Sequence, residues 1–340
     1  MKRVLILYTG GTIGMVRTKE GYQPQTGGIR RLLSEVPDLG MEGMPAYDLI
    51  EFDRLIDSSD VTVEDWNRIA RTIEVHYDAY DGFVVLHGTD TMAYTASALS
   101  FQLAHLNKPV ILTGSQIPLC ELRSDANDNL ITSMLFAASD RLHEVCLYFG
   151  GKLLRGNRSV KVSSDGLNAF SSPNIPPLAE AGIRLNYREN ELLPPSDLPL
   201  TVTDLSPVPI AVLKIFPGIQ YRVFEPILTE GLSGLVLEAF GAGNIPGGEE
   251  ALLPFIRRAA EHDAVIVVCS QCLKGEVSLG TYATSMGLKR AGAVSGYGMT
   301  TEAAVTKLTY LFSLGLPRDE IRRLMEVNLR GEMSAEREFI

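Results

Sequence analysis

Two segments rich in glycine and threonine carry the side chains of this chain that are best placed for chemistry. Residues 8–14 read Tyr-Thr-Gly-Gly-Thr-Ile-Gly, and residues 87–91 read His-Gly-Thr-Asp-Thr. Both offer hydroxyl groups, and the second also offers the carboxylate of Asp90. A threonine hydroxyl becomes a nucleophile only when a base or an oriented hydrogen-bond network removes its proton. The two segments together therefore predict a small polar substrate and chemistry at a hydroxyl group.

The elements that must position these segments are buried parallel strands. Residues 4–7 and 83–86 are short apolar runs, rich in leucine and β-branched residues, directly before the two segments. A third run, 110–112, ends in Thr113-Gly114-Ser115. Open α/β folds bind their ligands at the carboxyl ends of such strands, so the three loops are expected at one sheet edge.

The same residues also have ordinary structural interpretations, and their types alone do not decide between them. Thr12 could cap the segment that follows it, and Asp90 or Thr91 could cap the next helix. His87 fits a structural residue at a strand end better than a catalytic base.

Other kinds of site find little support. The first loop lacks the GxGxxG and GxxxxGK[ST] spacings of phosphate-binding loops, and no GxSxG elbow is present. No histidine has the spacing of a metal site. Cys269 and Cys272 form a single CxxC, which we interpret as structural. We expect no metal or organic cofactor.

Composition limits the kinds of partner and the cellular compartment that we expect for this protein. A net charge of −10 argues against a nucleic-acid partner, because binding phosphates requires a basic face. The first apolar run is too short for a secretory signal, and no stretch is long enough to span a membrane. Four cysteines in a chain of 340 residues fit a reducing compartment, so we expect a cytoplasmic protein without a membrane partner.

Chain length and element order predict two α/β domains. We expect a larger N-terminal domain, 1–185, with a mostly parallel sheet, helices on both faces and a hairpin over 145–154. A helix is predicted from Thr62, with Asp65 completing a capping box. Five prolines within 186–209 indicate an exposed linker. A smaller C-terminal domain with a flavodoxin-like parallel sheet is expected over 210–340.

Taken together, these segments resemble the bacterial-type L-asparaginase family, in particular its cytoplasmic type I branch. The matching motifs occur in family order and cover most of the chain: Thr9–Gly14, Asp57–Asp60, His87–Thr91, Thr113–Gln116, Arg155–Arg158 with Lys161, and Gly241–Asn244. The two threonine motifs are specific as a pair, although either alone would not be.

The resemblance implies catalytic roles for five residues. Thr12 corresponds to the primary nucleophile on a mobile loop, and Tyr22 corresponds to its activating or orienting partner. Thr89, Asp90 and Lys161 match the second triad of the family, in which a lysine and a carboxylate polarise a hydroxyl.

The resemblance also implies binding roles. Ser58 matches the group that binds the substrate α-carboxylate, and Asp90 would hold the α-ammonium group. Ser59 and Ser115 are neighbours of this site. Asn244 matches a residue contributed by a partner subunit, which implies a homodimer or a dimer of dimers.

The implied reaction is hydrolysis of L-asparagine to L-aspartate and ammonia through an acyl-enzyme. Two alternatives remain open: a catalytically silent amino-acid sensor, and an amidase subunit of a tRNA-dependent amidotransferase. A sensor would keep Ser58 and Asp90 but would need neither Thr12 nor Lys161.

Overall fold

The protein divides into two compact units. A computed structural model describes residues 1–19, 21–25, 27–228, 231–246, 249–280 and 283–334. One unit spans Met1–Val202 and the other begins at Thr203. Within these ranges, no helix combines the length and the apolar character needed to cross a membrane.

The first unit is built from strands and helices in alternation. Its strands are β1 (Arg3–Gly10), β2 (Met15–Thr18), β3 (Gly21–Pro24), β4 (Ala46–Ile56), β5 (Gly82–Leu86), β6 (Leu103–Ala104), β7 (Val110–Thr113), β8 (Val145–Phe149), β9 (Lys152–Arg155), β10 (Val160–Lys161), β11 (Phe170–Ser171), β12 (Ala179–Ala181), β13 (Leu185–Tyr187) and β14 (Thr201–Val202). Its helices are α1 (Gly28–Ser34), α2 (Val63–His76), α3 (Met92–Gln102) and α4 (Ala126–Ala137). Short 3-10 turns occupy Thr12–Gly14, Pro37–Gly40, Ser58–Asp60, Tyr77–Ala79, Gly156–Arg158 and Glu189–Glu191.

An eight-stranded sheet forms the centre of this unit, in the order β13-β12-β9-β8-β7-β5-β1-β4. Strands β4, β1, β5, β7 and β8 are parallel, and β9, β12 and β13 continue the sheet in antiparallel pairs. Side chains alternate across the sheet, so Leu5 and Leu7 join the core on the α2–α3 face, whereas Val4 and Ile6 join the core on the α1–α4 face. The expected mostly parallel sheet with helices on both faces is confirmed.

Two local predictions are confirmed as well. The Asp65 carboxylate accepts hydrogen bonds from the backbone N–H and the hydroxyl of Thr62, at 2.9 and 2.8 Å, which is the predicted capping box of α2. Strands β8 and β9 form the predicted hairpin. Gly150 and Gly151 both have positive φ, +56° and +81°, as a tight two-residue turn requires.

The second unit contains a smaller parallel sheet. Its strands are β15 (Ile210–Lys214), β16 (Gly234–Ala239), β17 (Val265–Ser270) and β18 (Val294–Ser295), hydrogen-bonded in that order. Its helices are α5 (Glu249–Glu261), α6 (Ala283–Arg290), α7 (Thr301–Ser313) and α8 (Arg318–Met325), and a 3-10 turn covers Tyr221–Ile227. The end of the expected second domain, 335–340, lies outside the described residues.

The segment expected as a linker, 186–209, contains the boundary between the units, but its first part packs on the first unit. Strand β14 pairs with β6. The backbone N–H groups of Leu193 and Ser196 donate to the side chains of Glu144 and Asn107, at 2.9 and 2.7 Å. Prolines leave a segment with few backbone donors, and here two that remain are satisfied by side chains of the first unit.

A buried ion pair holds the C-terminal segment of the second unit against α7. Lys307 Nζ lies 2.6 Å from Glu332 Oε1, and both side chains are 0% exposed. Lys307 also donates to the carbonyl groups of Met325 and Val327, at 3.2 and 2.6 Å. Every N–H of this ammonium group therefore has an acceptor.

Candidate active site

Loops that follow β1, β4, β5 and β7 meet at one edge of the large sheet, because these four strands are neighbours and parallel. Glycines allow the loops to approach closely. A methyl group at Gly11 (φ +86°) would lie 2.4 Å from the backbone nitrogen of Gly88, and one at Gly88 would lie 2.5 Å from Ser58 Oγ. A methyl group at Gly114 would lie 2.3 Å from the carbonyl oxygen of His87. The predicted convergence of the strand-end loops is therefore present, with backbone packed against backbone.

Lys161 joins Thr89 and Asp90 into one cluster. Its Nζ donates to Thr89 Oγ1 at 2.9 Å and to Asp90 Oδ1 at 2.6 Å. Thr89 is 7% exposed, whereas the Asp90 side chain is 64% exposed. The cluster thus has a buried hydroxyl, a cation beside it and a carboxylate that reaches solvent.

Gln116 completes the contacts of the Thr89 hydroxyl. Thr89 Oγ1 donates to Gln116 Oε1 at 3.2 Å, and Gln116 Nε2 donates to the carbonyl oxygen of Gly166 at 3.2 Å. Gln116 belongs to a matched motif, but no role of its own is predicted for it. A glutamine carries no spacing signal that would reveal such a contact.

Asp125 and Asn129 brace the loop that carries Gln116. The Asp125 carboxylate accepts from the backbone N–H groups of Gln116 and Ile117, at 3.1 and 3.0 Å. Asn129 Nδ2 donates to the Gly114 carbonyl at 3.0 Å. Asp125 is the N-cap residue of α4, but its side chain turns back to the loop instead of capping the helix.

Thr12 lies in the 3-10 turn after β1 and is half-buried. Tyr22 lies on β3, opposite Arg17 of β2, and is 46% exposed. A hydrogen bond to Glu121 raises the pKa of the Tyr22 hydroxyl. No hydrogen bond between Tyr22 and Thr12 occurs among the described residues, and the pairing of these two side chains stays a prediction.

The three serines of the expected binding site differ in environment. Ser58 is 5% exposed and follows β4, next to Gly88. Ser59 is exposed, and its hydroxyl donates to Asp57 Oδ1 at 3.1 Å. Ser115 is 1% exposed, and its hydroxyl has no hydrogen-bond partner among the described residues. Ser58 and Ser115 thus lie with the threonine loops, whereas Ser59 is engaged in its own turn.

The capping interpretation of the second loop finds no support. Thr91 is the N-cap residue of α3 without a side-chain cap bond, and its hydroxyl instead donates to the Ser58 carbonyl at 2.6 Å. Asp90 binds Lys161. His87 is buried, and this burial lowers its pKa. A neutral ring beside the Thr95 hydroxyl and the Gly88 carbonyl, at 3.0 and 2.7 Å, fits the expected structural role.

Asn244 belongs to the second unit, where it pairs with Phe240 in an isolated bridge after β16. In the same unit Cys269 is buried, which raises its pKa to about 12, and Cys272 is exposed. A thiol with so high a pKa is a poor redox nucleophile. Over the described ranges, no group of three or more His, Cys, Asp or Glu side chains could hold a metal ion.

This arrangement suits transfer of a group to a hydroxyl. Lys161 can stabilise negative charge on an oxygen or exchange a proton with it, and Asp90 offers a solvent-facing anion for a substrate cation. The half-buried hydroxyl of Thr12 lies on a loop whose backbone touches the Thr89 loop. Two hydroxyls and a lysine at one sheet edge are therefore groups of the kind that a nucleophile and a proton relay require.

Comparison with known proteins agrees with this chemistry. The family model "Asparaginase, N-terminal" matches residues 3–193, and "Glutaminase/Asparaginase C-terminal domain" matches residues 209–325. L-asparaginase 1 of Escherichia coli strain K12 is 47% identical over 333 residues, which cover 98% of each chain. The crystal structure of L-asparaginase I from Vibrio cholerae has a TM-score of 0.91 at 45% identity and covers 98% of this chain and 99% of that one. The thermostable L-asparaginase from Thermococcus kodakarensis has a TM-score of 0.87 at 33% identity, covering 98% of this chain and 100% of that one. Because both family models match and the relatives align over nearly the whole chain, this chain belongs to the asparaginase family.

Proposed function

We propose that this protein is an amidohydrolase that converts L-asparagine to L-aspartate and ammonia. The observation that carries the proposal is the contact of Lys161 Nζ with both Thr89 Oγ1 and Asp90 Oδ1, in a loop packed against the loop of Thr12. A sensor would not need a lysine directed at a buried threonine hydroxyl. The 47% identity to an L-asparaginase supports the same reaction.

In the proposed mechanism, the Thr12 hydroxyl attacks the side-chain amide carbon of asparagine. The C–O bond forms, the C–N bond breaks, and the hydroxyl proton leaves with the nitrogen as ammonia. Water then cleaves the Thr12 ester, which releases aspartate and restores the hydroxyl. Backbone N–H groups of the glycine loops would stabilise the oxyanion in both steps.

Substrate binding follows from the polar groups at the same edge. Asp90 would pair with the α-ammonium group, because its carboxylate is the exposed anion of the cluster. Ser58 would bind the α-carboxylate, with Ser59 and Ser115 beside it. Tyr22 would activate or orient Thr12, and its hydroxyl would then exchange its present contact with Glu121 for one with Thr12.

We further propose that the active unit is a homodimer or a dimer of dimers in the cytoplasm, with Asn244 of the partner subunit completing the site. The four free cysteines support a reducing compartment. Sedimentation velocity measures the oligomeric state, and a monomer that retains full activity would contradict a shared site.

The test of the function is ammonia release from L-asparagine by the wild type, Thr12→Ala and Thr89→Val. We expect rapid turnover by the wild type and a loss in both variants, because each removes a hydroxyl while the fold is retained. Thr89→Val keeps the volume nearly constant, so circular dichroism should be unchanged. A folded wild type that binds aspartate but releases no ammonia would instead favour the sensor.

A further inference from the structure

Gln116 has a side chain that joins three separate parts of the site. Its Oε1 accepts from Thr89 Oγ1, and its Nε2 donates to the carbonyl oxygen of Gly166. Gly166 lies in the connection from β10, which carries Lys161, to β11. The carboxamide therefore links the loop after β7 with Thr89 and with the segment that follows Lys161.

The orientation of this carboxamide is determined by its neighbours. The Gly166 carbonyl can only accept a hydrogen bond, so it must face the NH₂ group of Gln116. The oxygen of Gln116 consequently faces Thr89. Because the lysine ammonium can only donate, the Thr89 hydroxyl accepts from Lys161 and directs its own proton to Gln116.

The backbone of Gln116 is fixed as firmly as its side chain. The Asp125 carboxylate holds the backbone N–H groups of Gln116 and Ile117, and Asn129 holds the Gly114 carbonyl. A side chain that starts from a braced backbone and ends on two partners has little freedom to move away.

We infer that Gln116 is a positioning residue that sets the direction of the Thr89 proton before substrate binds. In the resting site, the carboxamide of Gln116 accepts this proton and keeps a lone pair of Thr89 on Lys161. The contact persists when the substrate is bound, so the second lone pair of Thr89 Oγ1 stays directed at the reacting groups. Gln116 thus acts on the reaction through Thr89 and does not need to touch the substrate.

The test compares Gln116→Leu, Gln116→Glu and a control, Gln271→Leu. Gln271 is a half-buried glutamine of the second unit whose Nε2 donates to the carbonyl groups of Ile215 and Glu238, at 2.6 and 2.8 Å. The Gln271→Leu substitution removes a similar carboxamide that has no contact with Thr89. Steady-state kinetics with L-asparagine from pH 4.5 to 9 and thermal unfolding are measured for each protein.

We expect Gln116→Leu to lower kcat by about 10- to 100-fold at every pH with KM within about 2-fold, because orientation of the hydroxyl is lost while the substrate contacts remain. Gln116→Glu should respond to pH. Its protonated carboxyl group can accept from Thr89 and donate to Gly166, as the amide does, whereas the carboxylate repels the Gly166 carbonyl. The ratio of its kcat to that of the wild type should rise as the pH falls towards the ordinary glutamate pKa of about 4.3.

The outcomes separate this inference from the proposed function on which it rests. If the wild type releases no ammonia from L-asparagine, the proposed function and the inference fail together. If the wild type is active and Gln116→Leu keeps its kcat, the inference alone is wrong. A loss in Gln116→Leu that Gln271→Leu shares, or a Gln116→Glu ratio that does not change with pH, would also overturn it, since a merely structural role predicts both.

Discussion

Two lysine–carboxylate pairs, one in each unit, have the same separation and opposite surroundings. The N–O distance is 2.6 Å in both Lys161–Asp90 and Lys307–Glu332. The side chains of the first pair are 19% and 64% exposed, and those of the second are both 0% exposed. The ammonium group of Lys307 also donates to two backbone carbonyls, whereas that of Lys161 also donates to the hydroxyl of Thr89. The distance of an ion pair therefore does not reveal its role, but access and the third partner do.

The largest effect on activity is expected from breaking the exposed pair. Lys161→Met should lower kcat for L-asparagine by about 10²- to 10⁴-fold, because the proton relay to Thr89 is lost. The free energy of unfolding should change by less than about 1 kcal/mol, because the Asp90 side chain is 64% exposed and is solvated without Lys161. Ammonia release and urea unfolding measure the two quantities. Lys161→Arg, which keeps the charge but cannot give up a proton, should be nearly as inactive.

The reverse pattern is expected for the buried pair. Lys307→Met leaves the Glu332 carboxylate buried without its partner, which should cost about 3–5 kcal/mol in the free energy of unfolding. The kcat of the protein that remains folded should be unchanged. The double variant Lys307→Met/Glu332→Gln should recover part of the loss, because the amide is neutral and still accepts from the backbone. If the single and double variants were equally unstable, the uncompensated charge would not be the cause.

The smallest effect is the response of the buried pair to acid. Burial raises the pKa of Glu332, but Lys307 and the backbone N–H groups of Leu329 and Arg330 outweigh it, so the pKa lies below that of an ordinary glutamate. The unfolded chain therefore binds more protons as the pH falls, so the contribution of Glu332 is complete above about pH 4.5 and is lost below it, by at most about 1.4 kcal/mol per pH unit.

This response can be measured against a matched substitution at the exposed pair. The difference in unfolding temperature between the wild type and Glu332→Gln should shrink as the pH is lowered from 6 to 3.5. Asp90→Asn, at a side chain that is 64% exposed, should differ little from the wild type over the same range. A Glu332→Gln difference that is constant with pH would contradict the lowered pKa.

Local patterns of the sequence were sufficient for much of the fold. The capping box of Thr62 and Asp65 involves residues three apart, and the Gly150-Gly151 turn involves neighbours, so their physics is contained in a short window. Segment 186–209 was harder, because prolines indicate an irregular segment but not where its remaining N–H groups bind. Glu144 and Asn107, which accept two of them, are far away in sequence.

The sequence predicted which residues belong to the site better than it predicted the contacts between their side chains. The strand-end position of Thr89 follows from the apolar run before it. Its contact with Lys161 agrees with the triad that the family resemblance implied. The roles of Gln116 and of the Lys307–Glu332 pair depend on side-chain directions set by distant strands and helices. No spacing rule connects such residues, and only the folded chain brings them together.

The distance between the strand-end loops depends on the absence of side chains at their glycines. A single added carbon at Gly11 or Gly88 would act as a wedge between two loops that now lie in van der Waals contact. It would push the two threonines apart without altering any group that reacts. Activity therefore depends on residues that take no part in the reaction. A survey of all substitutions should find these glycines as intolerant of change as the threonines that follow them.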